Sequence, residues 1–175
     1  ELNYTSHEAA FYGEVNEDGY GQAFSQDVEN ANIAYKGVIK QNDLPTGCCN
    51  ILVSPDVERT MATHIGIGSQ LHPDELSEDS LQGIDHIYME SYLWDHDLTK
   101  QTLKKVGKIA KANNIETSLS LSDPFCVDRH RAELKEFIEE YVDLVFCNFD
   151  EAKMFAQSET MADVSAFFQS FGKKI

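Results

Sequence analysis

No run of about 18 apolar residues occurs in this chain, so no membrane-spanning helix is expected. The first ten residues are polar and mixed, without the apolar stretch of a secretory leader, and the reading is a cytoplasmic protein. Positive charge is scarce: 14 Lys and Arg stand against 30 Asp and Glu, a net charge of −16. A general nucleic-acid surface needs clustered Lys and Arg, so that class is set aside. Any nucleotide phosphate has to be met locally, by helix N-termini, backbone amides and a bound cation. The four cysteines, Cys48, Cys49, Cys126 and Cys147, form no Cys-x-x-Cys pair, which points to a reduced chain with structural thiols. The six histidines show no zinc spacing, so no structural metal site is expected. There is no Walker-type phosphate loop, no Gly-x-Gly-x-x-Gly after a strand and no Ser-centred nucleophile elbow.

What is present is a strand–helix alternation. Phe11 to Val15 reads as a strand and Glu17-Asp18-Gly19-Tyr20-Gly21 as a turn, followed by helical spacing at Phe24, Val28 and Ala31. Cys48 to Val53 and Arg59 to Ile65 flank a Ser54-Pro55-Asp56 turn and read as a hairpin. Pro73 begins a short acidic helix. From residue 84 the pattern becomes regular, with strands at Ile84–Met89, Ile115–Leu121 and Leu144–Cys147. Asp97 and Asp128 are read as helix caps between them, Asp123-Pro124 as a break, and Thr160-x-x-Asp163 as a capping box for a last helix. Lys100, Lys104, Lys105, Lys108 and Lys111 read as a solvated helix face, and Lys173-Lys174-Ile175 as the start of another strand. Such alternation implies an α/β fold, a parallel sheet with helices on both faces.

In an open parallel sheet, ligands bind beyond the carboxyl ends of the strands. Three strands end on polar groups: Glu90-Ser91-Tyr92, Ser122-Asp123 and Asn148. Asn148 and Glu151 attract most notice. They stand three residues apart at a strand-to-helix turn, where an amide can donate to a phosphate oxygen and a carboxylate can hold a hard cation through water.

The order Gly13-Glu-Val-Asn-Glu-Asp-Gly-Tyr-Gly21, Thr46-Gly47, Asp56-Val-Glu-Arg-Thr60, Tyr88-Met-Glu-Ser-Tyr-Leu93, Leu121-Ser-Asp-Pro-Phe125 and Asn148-Phe-Asp-Glu151 resembles the PfkB (ribokinase-like) carbohydrate kinase family, especially its adenosine-kinase-like members. The resemblance implies a three-layer α/β/α sandwich with a mainly parallel sheet and a small β lid. Residues 1–175 would be a partial domain of that kind, with residues 38–65 supplying the lid and hairpin. The activity implied is transfer of the ATP γ-phosphoryl group, with Mg2+, to a hydroxyl of a sugar or nucleoside. Asn148 and Glu151 match the phosphate and metal motif, Glu151 on the metal side. Glu90, Thr46 and Asp123 are the candidate substrate-binding residues. The family's Gly-Gly segment would precede Glu1, and its Gly-Ala-Gly-Asp segment, with the catalytic base, would follow Ile175. No catalytic residue is therefore assigned in this chain, and the chain alone is expected to be inactive. The exposed edge of a lid also makes a homodimer through it an expectation. The competing reading is a non-catalytic α/β module that binds a nucleotide or a partner protein.

Overall fold

The computed structural model describes residues 8–41 and 43–174, in two compact units that meet in sequence between Leu71 and His72. The first unit starts with four short strands and one helix. β1 (Ala9–Phe11) pairs in parallel with β3 (Ile33–Tyr35), and β2 (Glu14–Asn16) with β4 (Val38–Lys40). The single strand expected over Phe11–Val15 is thus two strands, broken at Tyr12-Gly13. The reason lies in the carbonyl of Gly13, which accepts from the Val38 N–H at 2.9 Å and from the Tyr35 hydroxyl at 3.0 Å.

The helix α1 (Gly19–Asn30) begins inside the segment expected to be a turn. Asp18 is its N-cap: one carboxylate oxygen accepts from the Gly21 N–H and the other from the Thr46 N–H, each at 2.8 Å. These amides, Thr46 first and Gly21 next, hold the Asp18 carboxyl below its ordinary value. Gly21 is required by space. A Cβ there would stand 2.0 Å from the Asn16 carbonyl oxygen and 3.0 Å from the Thr46 hydroxyl. Phe11, Phe24 and Tyr35 form an aromatic cluster at centroid distances of 5.2, 6.2 and 6.1 Å.

The expected hairpin is present as β5 (Cys48–Val53) and β6 (Arg59–His64), antiparallel, with Cys48 opposite His64 and Val53 opposite Arg59. Both of its faces are open. Ile51, Leu52, Val53 and Met61 are 52%, 72%, 63% and 58% exposed, and consecutive residues point to opposite faces.

In the second unit, β7 (His86–Glu90), β8 (Glu116–Ser120) and β9 (Leu144–Phe146) form one parallel sheet in that order. The crossovers are α2 (Asp97–Asn113) and α3 (Pro124–Tyr141), followed by α4 (Phe149–Ala156) and α5 (Met161–Phe171). Alternation gives the sheet two unlike faces. Met89, Leu119 and Val145 are buried, while Tyr88 and Phe146 on the other face remain about half exposed. The core is completed by Trp94, packed edge-to-face on Phe137 at 4.7 Å, and by Phe155 among Phe167, Phe168 and Phe171. Gly107 lets α2 approach α3, since a Cβ there would meet the Tyr141 and Phe137 rings at 2.8 and 3.0 Å.

Two helix starts of this unit differ in detail from the expectation. α2 is capped by the backbone of His96, with Asp97 in the first turn, where a carboxylate favours the helix dipole. α3 starts four residues before Asp128, at the Asp123-Pro124 pair expected to be a break. Asp123 caps it through the Cys126 N–H at 2.7 Å, and proline is suited to the first helical position because its missing N–H would have had no partner there. The Thr160 cap is as expected, with the Asp163 N–H donating to its hydroxyl at 3.2 Å. The lysine face of α2 is also less solvated than expected. The Lys105 ammonium donates to the carbonyls of Pro73 and Leu76 at 2.7 and 2.6 Å, and Lys100 lies 3.3 Å from Glu133. Lys174 makes a parallel bridge to Leu144, the strand-like contact expected at the end of the chain. All four cysteines are free; Cys126 is buried, whereas Cys49 is exposed on β5 and packs into no core.

Candidate functional site

Register brings the candidate residues of the second unit to one edge. Glu90, Ser120 and Phe146 are opposite one another at the carboxyl ends of β7, β8 and β9. The chain leaves this edge by three short turns, and each turn places polar groups. After β8, Ser122 adopts a left-handed conformation with φ of 65°, which reverses the chain so that Asp123 can cap α3. A non-glycine residue there costs about 1–2 kcal/mol. After β9, Asn148 caps α4. After β7, Ser91 is buried, and its hydroxyl donates to the Leu121 carbonyl at 2.7 Å.

Asn148 and Glu151 are joined in a reciprocal capping box. The Asn148 side-chain oxygen accepts from the Glu151 N–H at 2.9 Å, and the Glu151 carboxylate accepts from the Asn148 N–H at 3.0 Å. The Asn148 amide also donates to the other Glu151 oxygen at 2.7 Å. Each carboxylate oxygen of Glu151 therefore accepts one hydrogen bond from Asn148 and keeps further lone-pair capacity. Glu151 is only 6% exposed, and among the described residues no Lys, Arg or His lies within ion-pair distance of it. Its charge is felt nearby: it helps push up the Cys147 thiol, to about 11, although burial is the larger cause. Tyr92 is pushed up to about 12, first by burial, then by Asp123, with Glu151 contributing least. Tyr88 is raised likewise, by burial first and Glu90 second. Both phenols thus remain hydrogen-bond donors at neutral pH.

A magnesium ion fits this donor set in a specific way. Magnesium commonly takes one or two carboxylates, with waters and substrate phosphates completing its shell. Among the described residues no group of three or more His, Cys, Asp or Glu gathers to hold a metal. Glu151, buried, without a cationic partner and with oxygens still able to accept from water, suits a water-mediated contact rather than a protein cage.

Glu90, Asp123, Asn148 and Glu151 are thus brought to the same strand edge, whereas Thr46 belongs to the first unit. Thr46 is buried, and its hydroxyl accepts from the Asn16 N–H at 2.8 Å. Two neighbours of Glu90 were given no role from the sequence, although Ser122 was named among the polar strand ends. Ser122 donates to one Glu90 oxygen at 2.8 Å, and the Tyr88 hydroxyl hydrogen-bonds the other. Period-two alternation on β7, which puts Tyr88 and Glu90 on one face, was the available signal for Tyr88. Among the described residues no helix is long and apolar enough to cross a membrane.

The chain is similar to guanosine-inosine kinase of Escherichia coli K12, at 28% identity over 115 residues, which is 63% of this chain and 26% of that protein. It is also similar to the crystal structure of adenosine kinase from Sinorhizobium meliloti, with a TM-score of 0.86 and 32% identity, over 91% of this chain and 49% of that one. Anopheles gambiae adenosine kinase, solved in complex with P1,P4-di(adenosine-5) tetraphosphate, shares the fold with a TM-score of 0.81 at 23% identity, over 95% of this chain and 50% of that one. The chain spans about half the length of these solved structures and about a quarter of the curated relative. The fold is the ribokinase-like α/β fold with a mainly parallel sheet. The pfkB family carbohydrate kinase profile matches residues 2–175, and the chain belongs to that family.

Proposed function

We propose that this chain is part of an ATP-dependent kinase that phosphorylates a hydroxyl of a sugar or nucleoside. The observation that carries the reading is the gathering of Glu90, Asp123, Asn148 and Glu151 at the carboxyl edge of one parallel sheet, in a member of a kinase family. Asn148 is assigned to a phosphate of ATP and Glu151 to magnesium through water. The ion supplies neutralisation of phosphate charge when bound. Glu90 and Asp123 are assigned to the acceptor, and Thr46, from the first unit, to the substrate-binding segment that leads into the hairpin. Phosphoryl transfer is largely a matter of positioning and charge stabilisation, so these roles are of the kind the reaction needs. The similarity to a guanosine-inosine kinase and an adenosine kinase favours a nucleoside acceptor.

The test is an ATP-dependent phosphorylation assay on the full-length protein with guanosine, inosine, adenosine and ribose. At least one is expected to be phosphorylated, and failure of all four overturns the reading. Asn148→Ala is expected to raise the KM for ATP about tenfold, the loss of one hydrogen bond to a charged group. It also removes a helix cap worth about 1 kcal/mol. Asn148→Ser keeps a capping oxygen but lacks the amide, so it should raise the KM for ATP while holding the melting temperature close to that of the unmodified protein.

The hairpin is assigned as a lid, and its open apolar faces, with outer strand edges that join no further strand among the described residues, suit a homodimer formed through it. Sedimentation at rising concentration is expected to show a dimer that Leu52→Lys dissociates. A monomer at every concentration would remove the dimer from the reading.

A further inference from the structure

We infer that Ser122 and Tyr88 are positioning residues, which hold the Glu90 carboxylate in place for a hydroxyl of the acceptor substrate. The inference rests on the assignment of Glu90 to the acceptor given above. The Glu90 carboxylate is held from both sides: Ser122 Oγ donates to Oε2 at 2.8 Å, and the Tyr88 hydroxyl hydrogen-bonds Oε1. Each oxygen retains a second acceptor site. A carboxylate with two donors on its two oxygens cannot rotate freely, so its remaining lone pairs point in fixed directions. That is the requirement for orienting a hydroxyl that must lie in line with a transferred phosphoryl group.

Ser122 is itself fixed on several sides. Its hydroxyl accepts from the buried Ser91 N–H at 3.1 Å, its N–H donates to Ser120 Oγ at 3.1 Å, and its carbonyl accepts from the Tyr92 hydroxyl at 3.3 Å. Its φ of 65° lies where glycine is at ease and serine is strained. Strained residues of this kind persist where the surroundings enforce them, and they cluster at functional sites. A glycine would satisfy the backbone at this turn. What serine adds is the hydroxyl between Glu90 and Ser91.

The experiment compares Ser122→Gly, Tyr88→Phe and Glu90→Gln in the full-length protein. The acceptor is whichever of guanosine, inosine, adenosine and ribose the unmodified enzyme uses best. Ser122→Gly and Tyr88→Phe are each expected to raise the acceptor KM about tenfold, as for one hydrogen bond to a charged group, with the KM for ATP unchanged. In a Glu90→Gln background neither should raise it much further, because both act through that carboxylate. A purely structural role would not act on one substrate alone, nor vanish in that background. If Glu90→Gln raises the acceptor KM while Ser122→Gly and Tyr88→Phe leave it unchanged, the positioning role is wrong. If Glu90→Gln itself leaves it unchanged, the assignment of Glu90 is wrong and this inference falls with it. Should Ser122→Gly fail to fold, Tyr88→Phe decides alone, since the Tyr88 ring is half exposed and loses only its hydroxyl.

Discussion

Glu151→Gln is expected to lower turnover of the full-length protein in the proposed kinase reaction by roughly 10- to 100-fold, the usual cost of removing a group that acts on a metal through its bound ligands. The magnesium concentration needed for half-maximal rate should rise by a similar factor. The same change should keep α4 folded while weakening its first turn. A glutamine three residues after the cap still reaches back to the cap N–H, so the reciprocal box with Asn148 survives. Two things are lost: the attraction between a carboxylate and the helix N-terminus, about 0.3–1 kcal/mol, and the hydrogen bond from the Asn148 amide to the second Glu151 oxygen, about 1.5–3 kcal/mol for a charged acceptor. The measurement is a magnesium titration of the rate beside a thermal melt. A magnesium profile identical to that of the unmodified enzyme would refute the assignment of Glu151. A large drop in melting temperature would mean that its carboxylate serves the helix instead.

Trp94→Ala is expected to be the most destabilising single change in the second unit, by about 3–5 kcal/mol. Trp94 has no exposed surface and meets Phe137 edge-to-face at 4.7 Å, so truncation leaves a cavity between the turn after β7 and α3. Its indole Nε1 is buried without a hydrogen-bond partner among the described residues. An unpaired buried donor costs about 1–3 kcal/mol. Both variants remove that donor, but Trp94→Phe keeps a ring against Phe137, so it should cost far less than the alanine variant. Urea denaturation followed by circular dichroism reads both, which is needed because Trp94 is the one tryptophan in the sequence. Both variants lack the N–H, so their difference reads the packing of the ring, and equal losses would show that a phenyl ring fills none of the cavity.

The strand–helix alternation after residue 84 was legible from strand signals bounded by turn formers, clearest in the apolar run of β9 and weakest in β8, whose Glu-Thr-Ser-Leu-Ser is mostly polar. Helix starts were less so. Asp123-Pro124 reads equally as a strand breaker and as a helix opening, and only the Cys126 amide on the Asp123 carboxylate decides between them. Asp18-Gly19 has the same ambiguity: the dipeptide favours turns, yet Asp18 is the cap of α1. The convergence of Glu90, Asp123, Asn148 and Glu151 followed from parallel pairing alone. The hydroxyl of Ser122 on Glu90 could not be read in advance, because it depends on a left-handed backbone that no residue type at that turn demands. Nor does any local pattern show that Lys105 turns from solvent to the carbonyls of Pro73 and Leu76.

The turn that joins β5 to β6 has a practical use. Ser54 and Glu58 close it, Val57 stands at its tip 78% exposed with φ of 68°, and neither face of the ribbon beneath it belongs to a core. Added chain at such a tip gives up the Val57-to-Ser54 turn bond and the Glu58 N–H on Asp56 but leaves the ladder from Val53 and Arg59 inward, and exposed tips of this kind tolerate insertion. A short insert between Asp56 and Val57, whether a cleavage sequence or a labelling tag, would therefore make the ribbon separately addressable, so that its contribution could be switched off in a finished, folded protein without altering a residue of the parallel sheet.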